Sequence, residues 1–184
     1  MTTVVITDDP AVADSGPSAD GAWPGVLAGL AAQAGAPLDL EVAADVDAGL
    51  VADPGSSSFA ELVFADVEHS TQLVVFAESS FDAAAPADVQ QGAADAFAAV
   101  EEAAPDALVV MVAPWRAGAS TTAPDPELRD AVRTAAAGAE VVVTLVDPVA
   151  AGWPTEVGQQ ELAELLHAEL TPLIGALARS GAFE

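Results

Sequence analysis

The chain has 184 residues, and its 29 Asp and Glu stand against 4 Lys and Arg, a formal charge of -25. Affinity for nucleic acid comes from Lys and Arg that neutralise phosphates, so this balance excludes nucleic acid as a partner and disfavours an anionic membrane face. At the same time 52% of residues are hydrophobic and the mean hydropathy is +0.41, which an acidic disordered chain would not show.

One folded domain over residues 1–184 is the expectation at this length. There is no cysteine, hence no disulfide framework, thiolate nucleophile or Cys-ligated metal. The first residues lack a basic n-region, and no apolar run reaches the roughly 18 residues that span a bilayer, so neither a Sec signal nor a membrane span is expected. Lys is absent and Ala, Asp, Val, Gly and Pro dominate. A GC-rich genome and adaptation to high salt both produce that bias.

Taken in chain order, residues 3–7 (TVVIT) read as a first buried strand, short and rich in β-branched residues. Residues 8–21 are a long stretch of Gly, Ser, Pro and Asp. Helical spacing follows over 23–35, where Trp23, Val26, Leu27, Leu30 and Ala31 share a face. The second strand is 38–44 (LDLEVAA), followed by a helix over 57–67 carrying Phe59, Leu62, Val63 and Val67.

The third strand is 72–77 (QLVVFA), and the next helix runs over 88–103, with Pro86 just ahead as a start signal. The fourth strand is 107–113, the next helix 126–137, and the fifth strand 141–146 (VVVTLV). A last helix over 156–178 carries Leu162, Leu165, Leu166, Leu170 and Leu173, with Pro172 expected to kink it.

Strands that alternate with helices imply βαβ units with right-handed crossovers. The fold class is α/β, a three-layer sandwich around a five-stranded parallel sheet. Ligands of such sheets bind beyond the carboxyl ends of the strands. The segments to watch are therefore 7–10, 45–49, 78–82, 114–117 and 147–155.

Serine catalysis needs an adjacent base and donors aimed at the developing oxyanion. Neither histidine is placed for this. His69 precedes the third strand, at the far end of the sheet, and His167 falls mid-helix among leucines.

The layout resembles the SGNH/GDSL hydrolases, above all their compact actinobacterial and phage forms, over nearly the whole chain. Val4-Val5-Ile6-Thr7-Asp8-Asp9-Pro10 occupies the place of the strand and its Gly-Asp-Ser motif. Trp23-Pro24 stands at the start of the next helix, and the glycine-rich turn after the second strand corresponds to residues 44–49. Ser58-Phe59-Ala60-Glu61 is similar to the family's next helix start. Glu78-Ser79-Ser80-Phe81-Asp82 holds the place of a Gly-x-x-Asn-Asp signature. Ala113-Pro114-Trp115 looks like the family's loop after the fourth strand, and residues 128–133 look like the helix that follows it. Residues 150–155 (AAGWPT) stand where the family has Asp-x-x-His-Pro-Thr.

On this resemblance the serine position is Asp9, the histidine is Trp153, and the Asp that orients it is Ala150. The oxyanion Asn is Phe81, the glycine heading its motif is Glu78, and the second-block glycine falls near Asp47. Only Asp8 and Asp82 keep the family's identities. Carboxylates around a developing negative charge would destabilise the transition state. The resemblance therefore implies an SGNH-type scaffold without catalytic residues, a pseudoenzyme.

Other readings compete at the same rim. Asp8, Asp9, Asp45, Asp47, Glu78, Asp82 and Asp147 offer the oxygen ligands of a hard cation, but no calcium-loop spacing accompanies them, and neither metal nor cofactor is expected. Trp115 and Trp153 would serve as platforms for a sugar or peptide, or simply fill the cleft. Asp9 and Glu78 facing each other would suit a glycan hydrolase, and a residual esterase is a further alternative. The reading that accommodates most of the residues is a structural or interaction module. Its partners would be proteins, a viral capsid or tail assembly of a high-GC actinobacterial phage among them, with a homo-oligomer left open. A virion surface is the expected location, and the cytoplasm the alternative.

Overall fold

Runs such as Val-Val-Ile and Leu-Val-Val-Phe lose little on being buried on both faces, as strands of an all-parallel sheet are. In the computed structural model, which describes residues 1–9, 12, 21–45, 48–77, 84–113, 126–154 and 158–180, these runs form one sheet. Its strands are β1 (Thr2–Thr7), β2 (Asp39–Ala44), β3 (Leu73–Ala77), β4 (Leu108–Val112) and β5 (Val143–Val146), all paired in parallel. The order is β2-β1-β3-β4-β5. Between them run α1 (Trp23–Gln33), α2 (Phe59–Asp66), α3 (Pro86–Ala103), α4 (Pro126–Gly138), the short α5 (Pro148–Ala151) and α6 (Gln159–Ser180).

The pleat sends alternate residues to opposite faces. Val4, Ile6, Val74, Phe76, Val109 and Met111 meet α2, α3 and α4 on one side; Val5, Val75, Val110 and Val112 meet α1 and α6 on the other. This is the expected three-layer sandwich. On the first side Phe59 stacks on Phe76 with ring centroids 5.7 Å apart, and Phe97 meets Phe76 edge-on at 6.1 Å. Such pairs add about 0.5–1.5 kcal/mol to their burial.

Helix starts follow local chemistry. Ser58 and Glu61 form a reciprocal capping box at α2, so that helix opens at Phe59. Pro86 lies inside the first turn of α3, where its missing N–H costs nothing. The last helix opens at Gln159, three residues later than its leucine spacing suggests, with Gly158 accepting the first helical bond from Leu162. Pro172 sits within α6, which continues through it, and the neighbouring Thr171 hydroxyl donates to the His167 carbonyl at 2.6 Å. Among the described residues no helix is long and apolar enough to cross a membrane.

The connection after β2 is pressed against α3. Phe59 N–H donates to the Gly49 carbonyl at 2.9 Å, and Ser57 Oγ donates to Asp45 Oδ2 at 2.9 Å, closing this connection onto the start of α2. Leu50 then lies so near α3 that a Cβ at Gly92 would stand 1.9 Å from its carbonyl oxygen. Gly92 is thus required mid-helix despite glycine's poor helix propensity. We expect Gly92→Ala to destabilise the fold by about 1–3 kcal/mol in chemical denaturation. Gly29→Ala on α1, with open space around it, should instead stabilise by about 0.5–1 kcal/mol. Equal effects at the two sites would contradict this packing.

Glu101, near the end of α3, and Glu140, between α4 and β5, meet side chain to side chain. Desolvation, then the Glu140 charge and the hydrogen bond between them, raise the Glu101 carboxyl above the usual carboxylate value. The folded chain therefore holds this proton to higher pH than the unfolded chain, and the cost of the pair is present above the folded value and disappears as pH falls through it. Glu140→Gln should raise the melting temperature at neutral pH, with the gain fading in acid; no gain at neutral pH would refute the pairing.

Candidate functional site

With β2 on one side of β1 and β3 to β5 on the other, the chain reverses its direction of growth between β1 and β3. In sheets of this order the ligand crevice lies beyond the carboxyl ends of the strands at this point. Asp8 and Asp9 follow directly on β1 and are 8% and 4% exposed. They are the only buried carboxylates among the described residues. A buried carboxylate needs hydrogen-bond donors to offset its lost hydration.

For Asp9 one donor comes from the far end of the chain. Gln159 Nε2 donates to Asp9 Oδ2 at 2.9 Å, while Gln159 Oε1 accepts the N–H of Trp23 at 3.0 Å. One amide side chain at the start of α6 thus fastens the end of β1 to the first turn of α1. The Asp9 backbone is also fixed: its N–H donates to Thr7 Oγ1 at 3.2 Å, and its carbonyl accepts from Val12 N–H at 2.9 Å.

Trp23 is fully buried beneath this tie, and Trp153 packs partly buried against the same apolar cluster. Trp153 is placed by α5, which the sequence reading takes as plain rim. Asp147 caps α5, accepting the N–H of the exposed Ala150 at 3.1 Å, and Pro148 occupies the first turn. Gly152 ends it in the left-handed region at φ 74°, and Trp153 N–H returns to the Pro148 carbonyl at 2.8 Å.

Asp147 carries a further role. Arg129 Nη1 reaches its Oδ1 at 3.2 Å and its Oδ2 at 3.4 Å, and Arg133 Nη2 reaches its Oδ2 at 3.1 Å. Arg133 also pairs with Asp130. Partial burial pushes the Asp147 carboxyl up, but the Ala150 N–H and the two guanidinium groups together outweigh it and hold the group below the usual carboxylate range.

Of the residues singled out from the sequence, Asp8, Asp9, Ala150 and Trp153 take rim positions. Asp47, Glu78, Phe81, Asp82 and Trp115 lie outside the described residues, so the pairing of Asp9 with Glu78 and the Trp115 platform do too. Asp45 belongs to the α2 start rather than to the crevice. Among the described residues no three groups gather as metal ligands would. His69 sits in the exposed turn before β3, at the end of the sheet opposite the crevice. His167 lies eight residues into α6, about 12 Å along the helix from Gln159.

Two features escaped the sequence reading. The Arg129 and Arg133 pair was detectable, since two of only four basic residues fall at i and i+4 on one predicted helix. Nothing in the sequence separates Gln159 from Gln160.

In overall structure the chain is similar to Est24, a carbohydrate acetylesterase from Sinorhizobium meliloti. The TM-score is 0.66 at 14% identity, over 94% of this chain and 99% of that one. This is an SGNH-hydrolase-like fold. Two Streptomyces enzymes align more weakly. The extracellular lipase of Streptomyces rimosus gives a TM-score of 0.42 at 15% identity over 83% of this chain and 82% of the lipase. The phospholipase A1 of Streptomyces albidoflavus gives 0.36 at 18% identity over 74% of this chain and 70% of that one. No protein-family model and no curated protein sequence matches the chain.

The Asp147 cluster yields a direct test. Asp147→Ala removes both the α5 cap and the counter-charge of Arg129, and should cost about 1–2 kcal/mol at neutral pH. Asp147→Asn caps equally well and isolates the ion pairs. A depressed carboxyl contributes stability that is present above its unfolded pKa and lost as pH falls through the folded one. Asp147→Asn should therefore melt below the parent at neutral pH and converge with it in acid; a constant difference across pH would rule out the ion pairs as its source.

Proposed function

We propose that this chain is a non-hydrolytic SGNH-like domain, a structural or interaction module that works through protein partners. The observation that carries the reading is Asp9. On the sequence resemblance it stands at the serine position, directly after β1 at the crevice, with its carboxylate held by Gln159 Nε2 at 2.9 Å. A carboxylate fixed there is a poor neighbour for an oxyanion, whose stabilisation requires donors rather than negative charge. The placement of the histidines supports the same reading, since serine activation requires a base within hydrogen-bond reach. Trp153, at the histidine position of the resemblance, contributes packing to the apolar cluster.

A strand end tied by Gln159 to the first and last helices suits a scaffold retained for its shape. The partner we infer is a protein assembly, and the likeness of the sequence to compact actinobacterial and phage forms makes a virion surface the place to look. The chain should hydrolyse p-nitrophenyl acetate and butyrate no faster than buffer does, and should copurify with a large assembly from its source. Ester turnover above buffer that Asp9→Asn or Glu78→Gln abolishes would overturn the reading.

A further inference from the structure

The sheet has two edges, and they are not alike. β2 presents Asp39 and Glu41 exposed along its length, the charged protection that keeps an edge strand from pairing. β5 has no charge in its strand, and the exposed Val142 and Val149 flank it, at 69% and 44%. The ladder runs on to Val142, whose carbonyl accepts from Val109 N–H at 3.1 Å, and at the other end the Val146 carbonyl accepts from Ala113 N–H at 2.8 Å. Since backbone groups alternate along a strand, the N–H and C=O groups of Val143 and Leu145 point away from β4.

The geometry points to β5 as the surface through which two copies of this chain pair, antiparallel about a twofold axis at Thr144. The segment 142–146 reads Val-Val-Thr-Leu-Val and is self-complementary in that register. Val142 faces the second copy's Val146, and Thr144 faces its own equivalent, a favourable cross-strand pair. Val143 faces Leu145, and these are the two residues whose outward backbone groups would exchange both hydrogen bonds of an antiparallel pair. The two sheets would then join into one.

Charge decides which edge can do this. Centred pairing of β2 would set Glu41 and Asp39 against acidic or apolar neighbours in a chain that already carries -25. At β5 Arg129 and Arg133 offset Asp130 and Asp147, which leaves Glu140, two residues before Val142, as the acidic group that pairing would bring toward the second copy. Molar salt, with a Debye length of about 3 Å, screens that repulsion. This inference rests on the interaction-module reading only in giving that module its surface.

The test is the mass in solution of the whole chain by light scattering and sedimentation equilibrium, at physiological and at molar salt. The parent should approach twice 18.3 kDa as concentration rises, with the dimer favoured by salt. Val142→Glu and Thr144→Glu should each return it to 18.3 kDa with unchanged far-ultraviolet circular dichroism, whereas Glu41→Gln should leave the dimer intact. Val142 is exposed, so its variant keeps the test meaningful should Thr144→Glu unfold the chain. A parent that stays at 18.3 kDa throughout, or a dimer that survives both substitutions, overturns the inference. Ester turnover by the dimer would overturn the module reading and leave this surface standing, while an inactive monomer would do the reverse.

Discussion

An uncharged interior is the constraint on which everything else in this protein depends. The three central strands are covered on both faces, and with 29 Asp and Glu in the chain the acidic residues must be kept off those faces. The strands manage it by being almost purely apolar, β3 with all five residues buried, and by placing Asp39 and Glu41 on an edge. The two buried carboxylates of the described residues occur together, directly where β1 ends. That exception coincides with the crevice, and it requires donors. Gln159 supplies one of them, and in doing so locks the last helix to the first strand and first helix.

The same economy of cations shapes the far side of the rim. A chain with four basic residues uses Arg129 and Arg133 on one carboxylate, Asp147, and that carboxylate also caps α5. α5 in turn presents Trp153 to the core. A substitution at Asp147 should therefore be felt through α4, β5 and the position of Trp153 together. Where cations are lacking, as at Glu101 and Glu140, like charges meet and the Glu101 carboxyl is raised above its usual value.

The strands were legible because the β-branched runs around Val74 and Val109 are short, apolar throughout and bounded by turn residues, and the helices because sets such as Leu27, Leu30 and Ala31, or Leu162, Leu166 and Leu170, recur at helical spacing. Parallel order followed from the alternation. Tertiary chemistry was not legible. α5 is too short to carry a periodic signal and exists because Asp147 caps it. Gly92 looks like a weak spot in a helix until Leu50 is seen against it. Gln159 is one polar side chain among many until α6 docks beside β1. The assignment of Asp9 and Trp153 to the serine and histidine positions comes from the family resemblance alone, and no periodicity or spacing in the chain carries it.

A non-hydrolytic domain, as proposed, requires that no serine of the chain be activated. Treatment with a fluorophosphonate probe, followed by intact-mass spectrometry, asks this without any assumption about substrate, because such probes modify a serine only where it has been made nucleophilic. An unmodified chain of 18.3 kDa is expected after prolonged exposure. Stoichiometric addition of one phosphonyl group to a serine, lost on denaturing the protein before treatment, would contradict it.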